Sequence, residues 1–186
     1  SKPRGYAGDA VMLDYIYGHE HGWKLPEMSD RGKVLHPWLM ATSPCEGVKA
    51  RRGIIADVID QLAAEKSRPH ILSLAAGHFR EGEISSAIVR RKLGRIVAID
   101  SDEESMKTVA ETYGSYGVET VVASARELLG AKFDVGTFDL AYSSGLFDYL
   151  NDVTAKRLTR SLFEKLNPGG RLLIANFIRE IDGSGF

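Results

Sequence analysis

The sequence predicts an α/β fold in which one parallel sheet is covered by helices on both faces and preceded by a helical segment. Three observations predict it. From residue 70 onward, five short apolar runs alternate with helical segments. The runs are apolar at consecutive rather than alternate positions, as strands buried on both faces must be. The first third of the chain is mostly helical in its periodicity. With 186 residues, 44% of them hydrophobic, the chain can bury one core. It divides into a helical segment, residues 1–66, and a sheet-bearing unit, residues 67–186, within a single compact domain.

Each element has a local cause. In "GDAVMLDYIYG", Asp9 is placed to cap a helix whose apolar set is Val11, Met12, Tyr15 and Ile16, and Gly18 to stop it. A second helix follows Ser29 and Asp30, carrying Val34, Leu35, Trp38 and Leu39, with Pro37 predicting a kink or a break. "EGVKARRGIIADVIDQLAAEK" sets Val48, Ile55, Val58, Ile59 and Leu62 on one helical face. The first strand, "HILSLAA", is followed by a helix around Ile84, Ile88 and Leu93, and the second, "RIVAID", by one around Met106, Val109 and Tyr113. "VETVVAS" leads to the short "ARELLG", "FDLAYS" to a helix over about residues 152–166, and "GRLLIANF" is the last strand. Parallel strands need right-handed crossovers, and such sheets bind ligands beyond the carboxyl ends of their strands.

Composition narrows the partners. Lysine and arginine number 24 against 25 acidic residues, a formal net charge of -1, so nothing draws the chain toward nucleic acid or an acidic membrane. The single cysteine, Cys45, excludes an internal disulfide and a cysteine-based metal cluster, and no metal site is predicted. No run is long enough to span a membrane, and the first residues lack a signal-peptide pattern. The protein is expected to be soluble and cytoplasmic.

The strand ends carry the chemistry. After the first strand, Ala75, Ala76 and Gly77 have almost no side chain, so a ligand can approach the main chain; a bare turn between strand and helix is the competing explanation. Asp100 ends the second strand. A carboxylate there, with Ser101 beside it, can accept both hydroxyl hydrogens of a ribose, or it can simply cap the next helix. At the third end, Ser124 and the Ala125 main chain can meet a purine edge while Arg126 covers its face or sits in solvent. The fourth, "YSSGLFDYL", is a polar loop with Ser143, Gly145, Phe147 and Asp148.

In this order, strand, small-residue turn, acid-ended strand, "ASARELL", "SSGLFDYL" and "LNPGGRLLIANF" resemble the class I S-adenosylmethionine-dependent methyltransferases over residues 70–178. "NPGG" is the tight reversal expected before strand five. "KPRGYAGD" together with "GLFDYL" resembles, more narrowly, bacterial methyltransferases related to biosynthesis of 3-hydroxypalmitic acid methyl ester. The resemblance implies a Rossmann-like sheet of order 3-2-1-4-5 whose two further antiparallel strands are missing, and S-adenosyl-L-methionine as cofactor. It implies that Ala75 and Gly77 hold the cofactor's amino-acid part, Asp100 and Ser101 the ribose, and Ser124, Ala125 and Arg126 the adenine, with Ser143 and Gly145 at the fourth strand end. The residues depart from the family where Ser73, Ala75 and Phe79 stand at its acid, first-glycine and third-glycine positions. Glu81 is the substitute partner for the ligand's amino group. A competing function is a non-catalytic nucleotide- or S-adenosylmethionine-binding regulatory module, which the glycine-poor turn makes conceivable. A dehydrogenase is disfavoured because "AAGHFREG" lacks G-x-G-x-x-G.

For the acceptor, Arg51 and Arg52 flank the apolar stripe of their helix, where one can clamp a carboxylate bidentately, or both can snorkel outward or pair with acids such as Asp57. A small and lipid-like acceptor, the carboxylate of a hydroxy fatty acid, would need no base; a hydroxyl or amine would. Bases are available in His19, His21, His78 and Asp148. By resemblance the N-terminal segment closes over the cleft as a lid, Tyr6 facing the ligand and Phe147 the acceptor, with Tyr6 and Asp148 as catalytic candidates.

Overall fold

In the computed structural model, the residues described are 8–18, 28–130 and 134–178. Helix α1 (Ala10–Tyr17) starts where the Asp9 carboxylate accepts the Met12 N–H at 2.9 Å and ends at left-handed Gly18. Helix α2 (Asp30–Met40) is capped by Ser29 and runs through Pro37 without breaking, none of its residues being buried. Helix α3 (Ser43–Glu65) buries Val48, Ile55, Ile59 and Leu62 of the expected stripe, while Val58 is half-buried at the edge of the core.

Five strands follow: β1 (His70–Leu74), β2 (Arg95–Asp100), β3 (Val118–Val122), β4 (Phe138–Ser144) and β5 (Leu166–Ala175). Their order is β3-β2-β1-β4-β5, and every pairing is parallel. The pleat explains the consecutive apolar positions. In β2, Ile96 and Ala98 enter the core beneath α3 and helix α6 (Glu103–Tyr113), while Val97 and Ile99 enter the opposite core with Leu128, Leu158 and Leu162. Helices α7 (Ala125–Leu128) and α8 (Asp152–Glu164) supply those last three.

Two expectations need correction. The single helix expected around Ile84, Ile88 and Leu93 is two short ones, α4 (Glu81–Ile84) and α5 (Ser86–Val89). The cause is long-range. Asp60 of α3 accepts from the Ser85 and Ser86 hydroxyls and from the Ser86 and Ala87 N–H groups, so the chain starts a new helix against it. "NPGG" does not precede strand five but lies within it. Pairing jumps from Phe138↔Leu166 to Leu140↔Arg171, and the residues between form a bulge, with Gly169 at φ 78 and the Asn167 amide donating to Asp139. Among the described residues no antiparallel strand is added, and residues 179–186 lie outside them.

Where β2 begins, Gly94 lies against the preceding strand's entry: a Cβ there would sit 2.3 Å from the Arg68 carbonyl oxygen. Backbone cannot yield as a side-chain tip can. Gly94→Ala is expected to lower stability by about 1–3 kcal/mol, read as a lower denaturant midpoint at unchanged slope.

Candidate active site at the carboxyl ends of the strands

The ends of β1, β2 and β3 form one continuous rim. Ala76 N–H donates to the Ile99 carbonyl at 3.0 Å, Ala123 N–H to the Asp100 carbonyl at 2.9 Å, and Gly77 N–H to the Asp100 carboxylate at 2.8 Å. Asp100 also accepts from Asp102 N–H, so it both ends β2 and shapes the turn after β1. That turn has left-handed geometry at three positions, only one of them a glycine. Ala75, Gly77 and Phe79 all have positive φ, at 55°, 52° and 54°. For Ala75 and Phe79 this conformation costs on the order of 1–3 kcal/mol each, and strain of this kind gathers at functional turns. A Cβ on Gly77 would meet the Ala10 Cβ at 3.3 Å, which places α1 directly over the turn.

Ser101 is exposed beside Asp100, and Ala125 is partly exposed at the end of β3. Ser124 makes a capping box with Glu127, so its side chain serves the helix start, while Arg126 is exposed. Ser143 is buried in β4 with its hydroxyl unpaired. Phe147 packs partly into the core below α8, and Asp148 accepts from Phe177 N–H at 3.3 Å. Burial pushes the Asp148 carboxyl up, against the Phe177 N–H and Arg51. Tyr6, His19 and His21 lie outside the described residues.

Between α1, α3 and the β1 turn lies a cavity of about 40 Å³. Arg51, Arg52, Tyr17, His78, Glu81, Tyr142 and the Ala75–Gly77 turn line it. Both arginines therefore face the rim instead of Asp57, which is exposed. Arg51 reaches Gly145, whose added Cβ would stand 3.1 Å from the guanidinium, and its buried Nε has no partner. Arg52 lies over the Tyr17 ring, 4.8 Å from its centre. Glu81, the first residue of α4, is buried and accepts from the Tyr142 hydroxyl. Burial pushes the Glu81 carboxyl up, although Tyr142, Arg51 and Arg52 favour its ionised form. A positive and a negative group thus share one small cavity.

Sequence reasoning missed what holds α1 down. Asp14 points inward, accepting from the His78 Nδ1 at 2.7 Å and from Arg80 Nε and Nη2 at 2.7 and 2.8 Å. Arg80 also reaches Glu83 at 2.9 Å. Asp14 is one helical turn from Ala10 and from Tyr17, so spacing could have put it on the inner stripe; a charged residue is by default read as outward-facing. Among the described residues no group of His, Cys, Asp and Glu could hold a metal ion.

Fold and rim together define a Rossmann-like α/β domain, with the joined ends of β1, β2 and β3 as its candidate ligand site. A family model described as "Methyltransferase domain" matches residues 71–170, and the chain belongs to that family. The chain resembles the structure of a possible exported protein from Bordetella parapertussis, with a TM-score of 0.66 and 19% identity over 89% of this chain and 53% of that one. It also resembles the plantazolicin methyltransferase BpumL, solved with a desmethyl-plantazolicin analogue and S-adenosylhomocysteine (TM-score 0.57, 15% identity, 91% of this chain and 58% of that one). A third likeness is coclaurine N-methyltransferase, solved with N-methylheliamine and S-adenosylhomocysteine (TM-score 0.52, 16% identity, 68% of this chain and 35% of that one). At these identities the likeness is one of fold, and the chain spans little more than half the length of the first of these proteins. No curated protein matches it. Among the described residues no helix is long and apolar enough to cross a membrane.

Proposed function

We propose that the protein transfers a methyl group from S-adenosyl-L-methionine to a small acceptor carrying a carboxylate, a hydroxy fatty acid being the probe to try first. The observation that carries the cofactor reading is the Gly77–Asp100 contact: a small-residue turn after β1 joined by hydrogen bond to the acid that ends β2. One such acid can take two ribose hydroxyls while the turn lies against the amino-acid end of the ligand. Ala75, Gly77 and Glu81 serve that end, Asp100 and Ser101 the ribose, and Ser124, the Ala125 main chain and Arg126 the adenine, Ser143 and Gly145 closing the fourth side. Methyl transfer is an in-line displacement, for which positioning is the main requirement.

Arg51 supports the acceptor reading. Its buried Nε has no partner and its guanidinium packs against Gly145, which suits a bidentate carboxylate; Arg52, Phe147 and Tyr6 are the other residues we assign to the acceptor. The near-neutral charge favours such a ligand over nucleic acid, and a buried unpaired Cys45 suits a reducing cytoplasm. The narrower kinship with 3-hydroxypalmitic acid methyl ester biosynthesis belongs to the same proposal. The approach of Ala10 to Gly77 sets α1 over the turn after β1, which supports reading the N-terminal helical segment as a lid or substrate segment over the cleft. Calorimetry with S-adenosylhomocysteine should show saturable binding at one site; no heat at millimolar ligand would end the proposal. Binding without methyl release from any acceptor would leave a regulatory module instead.

A further inference from the structure

We infer that the protein has a second ligand site, at the edge of the sheet opposite the cofactor rim, where Arg68 and Arg91 hold the phosphoryl group of a small organic phosphate. This goes beyond the methyltransferase reading and does not depend on it. A cavity of about 330 Å³ opens at the amino ends of β1 and β2, bordered by Arg68, Arg91, Arg95 and the 114–117 turn that precedes β3. Gly94 brings its walls together. The Gly94 N–H donates to the Pro69 carbonyl at 3.0 Å, and its missing side chain lets the entry of β2 lie against the Arg68 carbonyl. No acidic residue borders the cavity. Arg95 is already neutralised, since its Nε and Nη2 donate to the Glu119 carboxylate. Arg68 and Arg91 are exposed, and among the described residues neither side chain makes an ion pair or a hydrogen bond.

Exposed arginines are common, and the backbone singles these two out. Among the described residues four that are not glycine have positive φ: Ala75 and Phe79 in the turn after β1, and Arg68 and Arg91 at 50° and 52°. Arg91 stops α5, its N–H donating to the Ile88 carbonyl while the Lys92 N–H donates to that of Ala87, a helix end where glycine is the least strained residue. Arg68 precedes Pro69, a position that favours extended backbone. Neither turn calls for an arginine; what the two share is the cavity. Two uncompensated arginines at one cavity match a dianion. A phosphomonoester carries about −1.5 to −2 charges at neutral pH and three acceptor oxygens, and guanidinium forks grip such oxygens in pairs. A monocarboxylate would leave one cation unmatched. The buried Leu93 and Ile96 and the half-buried Tyr116 also border the cavity, so a carbon body has apolar surface to rest on, in a volume at the lower end of the roughly 300–1,000 Å³ of ligand pockets.

Calorimetry in phosphate-free buffer with phenyl phosphate, benzoate and inorganic phosphate tests this. Phenyl phosphate is expected to bind at one site, about tenfold or more tighter than either of the others, and equally well with and without saturating S-adenosylhomocysteine. Arg68→Gln and Arg91→Gly should each weaken it by about tenfold or more, with S-adenosylhomocysteine affinity unchanged. Because glycine relieves the turn after α5, Arg91→Gly should melt at or above the wild-type temperature while it loses phenyl phosphate, which separates the charge from the turn. Benzoate or inorganic phosphate binding as tightly as the ester, displacement of phenyl phosphate by S-adenosylhomocysteine, wild-type affinity in either variant, or no heat from millimolar phenyl phosphate overturns the assignment.

Discussion

Asp14→Ala is expected to destabilise the protein by about 3–5 kcal/mol, the cost of leaving a buried partner charge uncompensated. Arg80 is 8% exposed and would keep Glu83 and Tyr113 but lose its buried carboxylate, while His78 would lose the acceptor for its Nδ1. Because Asp14 sits on α1 and its partners on the turn after β1, the loss should appear first as release of α1. Faster amide exchange over residues 10–17, together with a lower denaturant midpoint, would show it. Unchanged exchange in α1 would mean that packing of Ala10 and Ile16 alone holds the helix. The same carboxyl predicts an acid limit. Burial pushes its pKa up, but Arg80 and His78 outweigh burial and hold it at about 2, against an ordinary value of 3.8. A depressed pKa means stabilisation fully present above the unfolded value and lost as pH falls through the folded one. The wild type should therefore lose about 2 kcal/mol from this group between roughly pH 4 and 2, and Asp14→Ala should lack that component.

Asp100→Ala is expected to weaken S-adenosylhomocysteine binding by about 1–3 kcal/mol, roughly 5- to 150-fold. Two effects act together. The hydroxyl contacts to a ribose disappear, and the N–H groups of Gly77 and Asp102 lose their acceptor, so the turn is less well shaped before the ligand arrives. Comparing calorimetry with thermal unfolding separates them. A variant that melts near the wild type yet binds more weakly puts the loss in ligand contacts; wild-type affinity would remove Asp100 from the site.

Much of the fold was legible because its signals are local. Asp9 and Gly18 bracket α1 through bonds reaching three or four residues, and the apolar runs mark five strands because both faces of the sheet are covered. Gly77 and Asp100 were legible for the same reason: a strand that ends in small residues, or in an acid, does so visibly. The break between α4 and α5 was not, since its cause is Asp60, a residue of another helix. "NPGG" likewise reads as a turn in isolation and becomes a bulge only because β4 lies alongside to pair with the residues before and after it.

What the sequence by itself determined is the succession of helices and strands, and with it the sheet's carboxyl edge where the chemistry-bearing residues collect. Tertiary structure alone decided that Asp14 turns inward to grip His78 and Arg80, that Arg51 reaches across to Gly145, and that Arg51 and His78 line one cavity. The physical reason is separation: Asp14 and His78 are 64 positions apart. Their meeting depends on how α1 and α3 cross the end of the sheet, and that geometry is set by burial of the whole helix faces, not by any short stretch of residues.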